Sequence, residues 1–157
     1  SFALSMLSIP GWQTEQAGAK AMDFHTLVSM VVWTVSGAVL LFVLMFVDSL
    51  FTRYNDLEEL KAGNMAVTTR FVLKLVAQGH ILSSSIAAYS SLGEALVVSI
   101  VSFWLLFILE KSVELLLGKW ATIDLDHGTR LGKIGYGLLA GSLHVTGALI
   151  IAAFIRG

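Results

Sequence analysis

Long apolar runs separated by short polar stretches make up most of the chain. The runs cover residues 27–47, 65–90, 94–117 and 131–155. Each is close to or above the roughly 20 residues that an α-helix needs to cross a bilayer. The first run carries no charge and ends at Asp48. The pattern predicts an all-α integral membrane protein with four transmembrane helices.

Two polar connections join these spans in pairs. In the first, Asp56 is followed three residues later by Glu59, which is the spacing of a capping box at a helix start. Gly63 then marks a helix end, because glycine readily adopts the left-handed conformation found there. We therefore expect a short polar helix between the first two spans. The second connection covers residues 118–130 and is also rich in polar side chains.

Residues 1–26 precede the first span. Their apolar run is too short to cross a membrane and is interrupted by Pro10 and Gly11. It also lacks the basic start of a signal peptide. We expect this segment to lie at the membrane surface, with Trp12 at the level of the lipid headgroups.

The composition agrees with a membrane protein and excludes several functions. Of the 157 residues, 56% are hydrophobic and 13% are charged, which is about half the charged fraction of a soluble domain. A net charge of -1 gives no electrostatic basis for binding nucleic acid. The chain has no cysteine for a disulfide or a thiolate site, and no phosphate loop, nucleophile elbow or zinc-protease motif. We expect a single membrane domain that is not an enzyme.

The basic residues predict how the spans are oriented. Those of the polar connections and their margins are Arg53, Lys61, Arg70, Lys111, Lys119, Arg130 and Lys133. The opposite side has only Lys20 and Arg156. Because Lys and Arg concentrate on the cytoplasmic side, we expect cytoplasmic connections and both termini outside.

The two halves of the membrane domain, residues 27–91 and 92–157, share an order of features. Each has an apolar span ending in an acid, then a glycine, a basic residue and a histidine. The matched pairs are Asp48 with Glu110, Gly63 with Gly128, Arg70 with Lys133, and His80 with His144. We interpret this order as a duplicated hairpin, with a pseudo-twofold axis along the membrane normal.

Residues 58–67, EELKAGNMAV, resemble the hallmark of a bacterial inner-membrane domain-of-unknown-function family that includes the YjfL-type proteins. The resemblance covers about residue 27 to the C-terminus. It implies four spans built from two hairpins, each with a GN-A-A stretch at the start of its second helix. The second half departs from this with Gly128-Thr129, and the second span carries Arg70, Lys74 and His80 where the family is usually small or apolar. The resemblance implies topology and bacterial inner-membrane placement, and it implies no catalytic residue.

The second span is unusually polar for a transmembrane helix. At 100° per residue, Arg70, Lys74, Gln78 and Ser85 fall on one stripe. Ionisable side chains are costly against lipid, so this stripe must face protein or trapped water. Four spans offer little material to shield it, and we therefore expect self-association or other membrane subunits as partners.

The third and fourth spans offer matching groups. Glu110 and Glu114 share a face of the third span, and Glu110 should lie at a depth similar to that of Lys74. In the fourth span, Gly137 and Gly141 form a GxxxG pair on the face of His144, which predicts close helix packing there.

These buried charges have two interpretations. In the structural one, Lys74 or Arg70 pairs with Glu110 or Asp48 and makes the polar helix tolerable in lipid. In the functional one, Arg70, Lys74, Gln78, Glu110, Glu114 and Asp48 line a hydrated path for protons or small ions.

The histidines suggest a third possibility. If the halves are matched as above, His80 and His144 lie at similar depths and could ligate a haem iron or a divalent metal. A histidine bonded to a neighbouring helix is the commoner case, so we predict no cofactor. The sequence as a whole favours a non-enzymatic subunit of a larger membrane assembly, with ion conduction and haem or metal binding as alternatives.

Overall fold

The computed structural model describes residues 23–157, and all regular structure in that part of the chain is helical. The helices are α1 (Phe24–Leu50), α2 (Asp56–Lys61), α3 (Met65–Ala88), α4 (Leu92–Trp120), α5 (Leu125–Arg130) and α6 (Ile134–Arg156). Helices α1, α3, α4 and α6 are long and apolar enough to cross a membrane. The predicted all-α, four-span fold is confirmed. The expected interfacial segment falls mainly on residues 1–22, outside the described residues.

The chain divides into two compact units, Ser1–Thr34 and Val35–Gly157. The described part of the first unit contains the start of α1. There the carboxylate of Asp23 accepts hydrogen bonds from the hydroxyl and amide of Thr26, both at 2.8 Å. These bonds lower the pKa of Asp23 below its usual value and give α1 an N-terminal cap. The features described below belong to the second unit.

The polar helix α3 packs against the other spans of this unit. It runs parallel to α6, from Gly137, which abuts the Ala66 backbone, to Arg156, whose Nε donates to Ser84 Oγ at 3.1 Å. On another side, Leu82 packs against Gly37 of α1. The predicted GxxxG packing is confirmed, because a β-carbon on Gly137 would collide with backbone.

Both polar connections end in the same hydrogen-bond pattern. After α2, Gly63 adopts a φ of +80°, and after α5, Gly132 adopts the same φ. In each case the glycine and the next residue donate their amides back to carbonyls of the last turn, which is a Schellman motif. The expected match of Gly63 with Gly128 is therefore wrong. Gly128 lies inside α5 against the ring of Tyr136, and Gly132 is the glycine that ends the helix.

The start of α2 also differs from the prediction. Asn55 is the N-cap, and its side chain accepts from the amides of Leu57 and Glu58. The expected capping box of Asp56 with Glu59 is wrong, because the Glu59 carboxylate instead accepts from Asn64 Nδ2 at 3.0 Å.

The positions of two charged residues relative to the ends of their spans differ from the prediction. Asp48 does not end the first span, since α1 continues to Leu50 and Asp48 is buried inside it. An ion pair with Lys74 makes this possible. Lys133 precedes the last span rather than starting it, because its extended backbone makes it the N-cap of α6.

Candidate functional site

Charged side chains from every span meet in the interior of the second unit. This group, called the ion cluster here, consists of Asp48, Arg70, Lys74, Glu110, Glu114, Asp126 and His144. Asp48 comes from α1, the two cations from α3, the glutamates from α4, Asp126 from α5 and His144 from α6. The predicted stripe of α3 places the cations correctly, because both are almost fully buried.

Arg70 is 2% exposed and joins three carboxylates. Its Nη2 donates to Glu110 Oε1 and to Glu114 Oε1, both at 2.8 Å. Its Nη1 donates to Asp126 Oδ1 at 2.6 Å and to the Tyr54 hydroxyl at 3.2 Å. Burial raises the pKa of Tyr54, so that hydroxyl stays neutral. The fork of the guanidinium thus ties α3 to α4 and to both polar connections.

Lys74 lies one turn further along α3. Its Nζ is 2.7 Å from Asp48 Oδ2 and 3.1 Å from Glu110 Oε1. The predicted ion pairing of Lys74 and Arg70 with Glu110 and Asp48 is therefore confirmed. Such buried pairs tolerate the loss of one partner poorly, because the other charge is then left without compensation.

His144 meets the second oxygen of the same glutamate. Its Nδ1 lies 3.2 Å from Glu110 Oε2, and the two side chains are 2% and 1% exposed. Within residues 23–157, neither of these two atoms has a hydrogen-bond partner with good geometry. The expectation that His144 points into a tight helix contact is confirmed.

The ion cluster and its rim carry more carboxylates than cations. Glu114 also pairs with Lys111 at 3.0 Å. Arg70, Lys74 and Lys111 therefore face four carboxylates, which leaves one negative charge when His144 is neutral. Asp56, half-buried beside Arg70 and Lys74, adds a further carboxyl group. Burial raises the pKa of Asp56 from 3.8 to about 6.

Three of these groups have the chemistry of metal ligands. Atoms of Asp48, Glu110 and His144 lie within 4.8 Å of one another. The ammonium of Lys74, however, already lies between Asp48 and Glu110. A divalent cation about 4 Å from it would meet a repulsion of about 8 kcal/mol at an effective dielectric constant of 20. With Lys74 in place, the arrangement is ill suited to a metal ion.

The two histidines proposed as axial ligands lie at different depths. His144 is the eleventh residue of α6, whereas His80 is the sixteenth of the parallel helix α3. At 1.5 Å per residue this is a difference of roughly 7 Å. The matching depth expected from the repeat is therefore wrong, and the structure brings His144 to Glu110 while His80 is half-buried elsewhere on α3.

An open cavity of about 620 Å³ leads to the ion cluster from the end that carries the polar connections. This cavity is called the loop vestibule here. Charged groups in its lining include Arg53, Lys111, Glu114, Lys119, Asp124 and Asp126. Two of them, Glu114 and Asp126, also bind Arg70, so the vestibule ends at the cluster. A small cavity of about 10 Å³ also lies beside Arg70 and Lys74, which is barely enough for a single water molecule.

A model of the Domain of Unknown Function family DUF350 matches residues 21–155. The chain belongs to the DUF350 family. A comparison with curated proteins and one with solved structures found no match. The expected membership in a domain-of-unknown-function family is confirmed at this level, and the closer likeness to YjfL-type proteins stays a prediction.

In this DUF350 chain, the sequence identified most but not all members of the cluster. Asp48, Arg70, Lys74, Glu110 and Glu114 were all among the candidates, and Gln78 is buried on the expected stripe, with no partner for its Nε2 among the described residues. Asp126 and Tyr54 were missed, because each lies in a short polar connection that reads as solvated. No charge count in the sequence points to Asp126, because the neighbouring spans already supply three carboxylates, Asp48, Glu110 and Glu114, for the two cations of α3.

Proposed function

We propose that this DUF350 protein is a non-enzymatic subunit of a larger assembly in the bacterial inner membrane, with its polar connections on the cytoplasmic side. One observation carries the proposal: the ion cluster draws a side chain from every span, and Arg70, Lys74 and Glu110 are almost fully buried in it. An interior used in this way stabilises the fold and leaves little room for a substrate. Recognition of other molecules then takes place on the outer surface.

Tight helix packing supports the same role. Glycines of α6 bring its backbone against α3 and α4, at Ala66, Leu73 and Leu106. The spans of the second unit are thus joined by both apolar contacts and buried ion pairs. A unit of this kind suits a fixed structural role better than one that depends on large relative movements of its helices.

Gentle extraction into lipid nanodiscs, followed by native mass spectrometry, tests the assembly. We expect species heavier than one chain of 16.9 kDa, containing either further copies or a co-purifying membrane protein. A particle with a single chain and no companion would contradict the proposal.

A charge-conserving double variant tests whether the buried charges serve only structure. Lys74→Met combined with Asp48→Asn removes both members of the 2.7 Å pair, and the assembly should survive, since removing both partners of a buried pair is tolerated far better than removing one. The single variant Lys74→Met is the matched comparison, and its assembly should be weakened.

Ion conduction is the second candidate, and the loop vestibule favours it. The vestibule provides an aqueous entrance to buried ionisable groups from one end. If these groups conduct, liposomes containing the protein should show a proton or cation flux that the double variant abolishes. Retained flux in the double variant would exclude a path through Lys74 and Asp48.

A further inference from the structure

The contact between Glu110 and His144 is incomplete without a shared hydrogen. Glu110 Oε2 and His144 Nδ1 face each other at 3.2 Å, and neither atom has a hydrogen-bond partner with good geometry among residues 23–157. If Nδ1 carries no hydrogen, two acceptors oppose each other in a buried place, which is unfavourable. A neutral imidazole with its hydrogen on Nδ1 removes this conflict, and a further proton on the pair turns it into a charge-assisted contact between an imidazolium and a carboxylate.

The charged groups around this contact carry an excess of negative charge, which an added proton would compensate. Asp48 faces it from α1, Arg70 and Lys74 face it from α3, and Glu110 and His144 supply it from α4 and α6. Asp126 and Glu114 share Arg70, and Lys111 compensates one carboxylate at the rim. The sum of these charges is one negative charge when His144 is neutral, and it becomes two when Asp56, beside Arg70 and Lys74, is ionised. An uncompensated charge is costly in a membrane interior.

We propose that the Glu110–His144 pair is a binding site for one exchangeable proton. The proton is additional to those of a neutral imidazole and an ionised carboxylate, so that the protonated pair is either an imidazolium beside a carboxylate or a neutral imidazole beside a carboxylic acid. Uptake transfers it from a hydronium ion in the loop vestibule and leaves water behind, and release reverses this step without changing any other bond. A divalent cation does not fit the same need, because the ammonium of Lys74 lies beside both Asp48 and Glu110.

The loop vestibule determines the side from which the proton comes. Its inner end is formed by Glu114 and Asp126, and both bind the guanidinium that also binds Glu110. We therefore expect exchange from the side of the polar connections, through Glu114 or Asp126. This inference goes beyond the assembly role and holds whether or not a proton crosses the membrane.

Nitrogen-15 NMR of histidine in the full chain, held in lipid nanodiscs, tests the site. The chain has four histidines, and His144→Gln identifies the signal of interest by its loss. We expect one of two protonated forms: a His144 ring with hydrogen on both nitrogens, or a His144 ring that shares a hydrogen with a protonated Glu110. As the pH is raised within the range where the protein stays folded, the pair should lose one proton. In Glu110→Gln this transition should shift or vanish, whereas in the matched control His80→Gln it should remain.

A second measurement uses only the unchanged protein, in case Glu110→Gln does not fold. Infrared difference spectra between two pH values should show a carboxyl band that changes together with the His144 signal. A His144 ring with one hydrogen beside an ionised carboxylate at every pH would overturn the proposal. Metal bound in equal amount to protein and released on His144→Gln would overturn it as well.

Discussion

A guanidinium group has five donors in a fixed plane, and Arg70 uses two of its nitrogens to bind four oxygen atoms from other parts of the chain. A lysine at this position could not reproduce that fork, because its single ammonium cannot hold carboxylates on two separate sides. The identity of this residue therefore contributes to the attachment of α4 and both polar connections to α3.

Replacing Arg70 by Gln should destabilise the protein by about 3–5 kcal/mol, because buried carboxylates are left without their cation. Thermal or denaturant unfolding in detergent would measure the loss. The control is Arg53→Gln, which breaks an ion pair with Asp124 whose side chains are 75% and 50% exposed. That loss should be about 0–1 kcal/mol, and equal effects of the two substitutions would contradict the role of the ion cluster.

Asp56 makes stability depend on pH in a defined direction. Burial raises its pKa in the folded protein from 3.8 to about 6. As the pH rises between these values, the unfolded chain releases its proton while the folded chain keeps it, so stability falls and then stays lower above pH 6. Asp56→Asn should therefore stabilise the protein by about 1–2 kcal/mol above this range, with an allowance for partial exposure.

The measurement is the unfolding midpoint of both proteins across that range of pH. Their difference should disappear at a pH below 3.8, where the carboxyl group is protonated in the folded and the unfolded states alike. A difference that is constant with pH would show that the carboxyl group does not titrate as described.

At the scale of helices, the predictions made from helical periodicity were correct more often than those made from local motifs. The stripe of α3 and the GxxxG face of α6 were both placed correctly, because burial repeats with the turn of the helix. The capping box failed because Asn55 offered a competing cap. The match of Gly63 with Gly128 failed because several glycines lie near the end of α5, and only backbone conformation shows that Gly132 ends the helix.

Asn64 hydrogen-bonds to two helices, α3 and α5, that are far apart in the sequence. Its Oδ1 accepts from the amides of Ala66 and Val67 and so caps α3. Its Nδ2 donates at 2.9 Å to the carbonyl of Arg130, at the end of α5. The Gly-Asn pair within residues 58–67 therefore connects two helices: the glycine ends α2 and the asparagine caps the start of α3.

Asn64→Ala should cost about 1–2 kcal/mol, because it removes the cap and the bond to α5. The matched control is Lys133→Ala, which replaces the N-cap of α6, where the side chain makes no capping bond. Unfolding in detergent should show little change for the control. A similar loss in both variants would mean that the capping bonds of Asn64 contribute nothing.

Gly137→Ala should destabilise the contact of α3 with α6 by about 1–3 kcal/mol through overpacking. A β-carbon there would collide with the carbonyl oxygen of Ala66, and backbone cannot move aside cheaply. The control Gly135→Ala is in the same helix and meets nothing within 4 Å, so it should be neutral or slightly stabilising. Comparison of their unfolding midpoints decides whether close packing matters here.

For the whole molecule, the sequence predicted the four spans and most of the buried charges. It could not predict which carboxylates meet Arg70, because that depends on how both polar connections fold over one end of the helices. Contacts between Arg53 and Asp124 and between Asn64 and Arg130 bring these connections together. They therefore lie at the same end of the helices.

The orientation of the molecule can be tested with single cysteines, since the chain contains none. Lys61→Cys lies on an exposed part of the first polar connection, and Ser90→Cys is exposed in the turn between α3 and α4. An impermeant thiol reagent added to intact cells should label Ser90→Cys and spare Lys61→Cys, because the Lys and Arg distribution predicts cytoplasmic connections. The opposite labelling would invert the proposed topology.

The order in which the members of the ion cluster are synthesised has a consequence for membrane insertion. Lys74 follows its partner Asp48 in the chain, whereas Glu110, Glu114 and Asp126, the three carboxylates that bind Arg70, are all made later. A nascent chain that ends after α3 thus holds an unneutralised guanidinium six residues into that helix, at an insertion cost below the roughly 2.5–3.5 kcal/mol of an arginine at the helix centre. We therefore expect the second span to enter the lipid more readily once α4 has been translated.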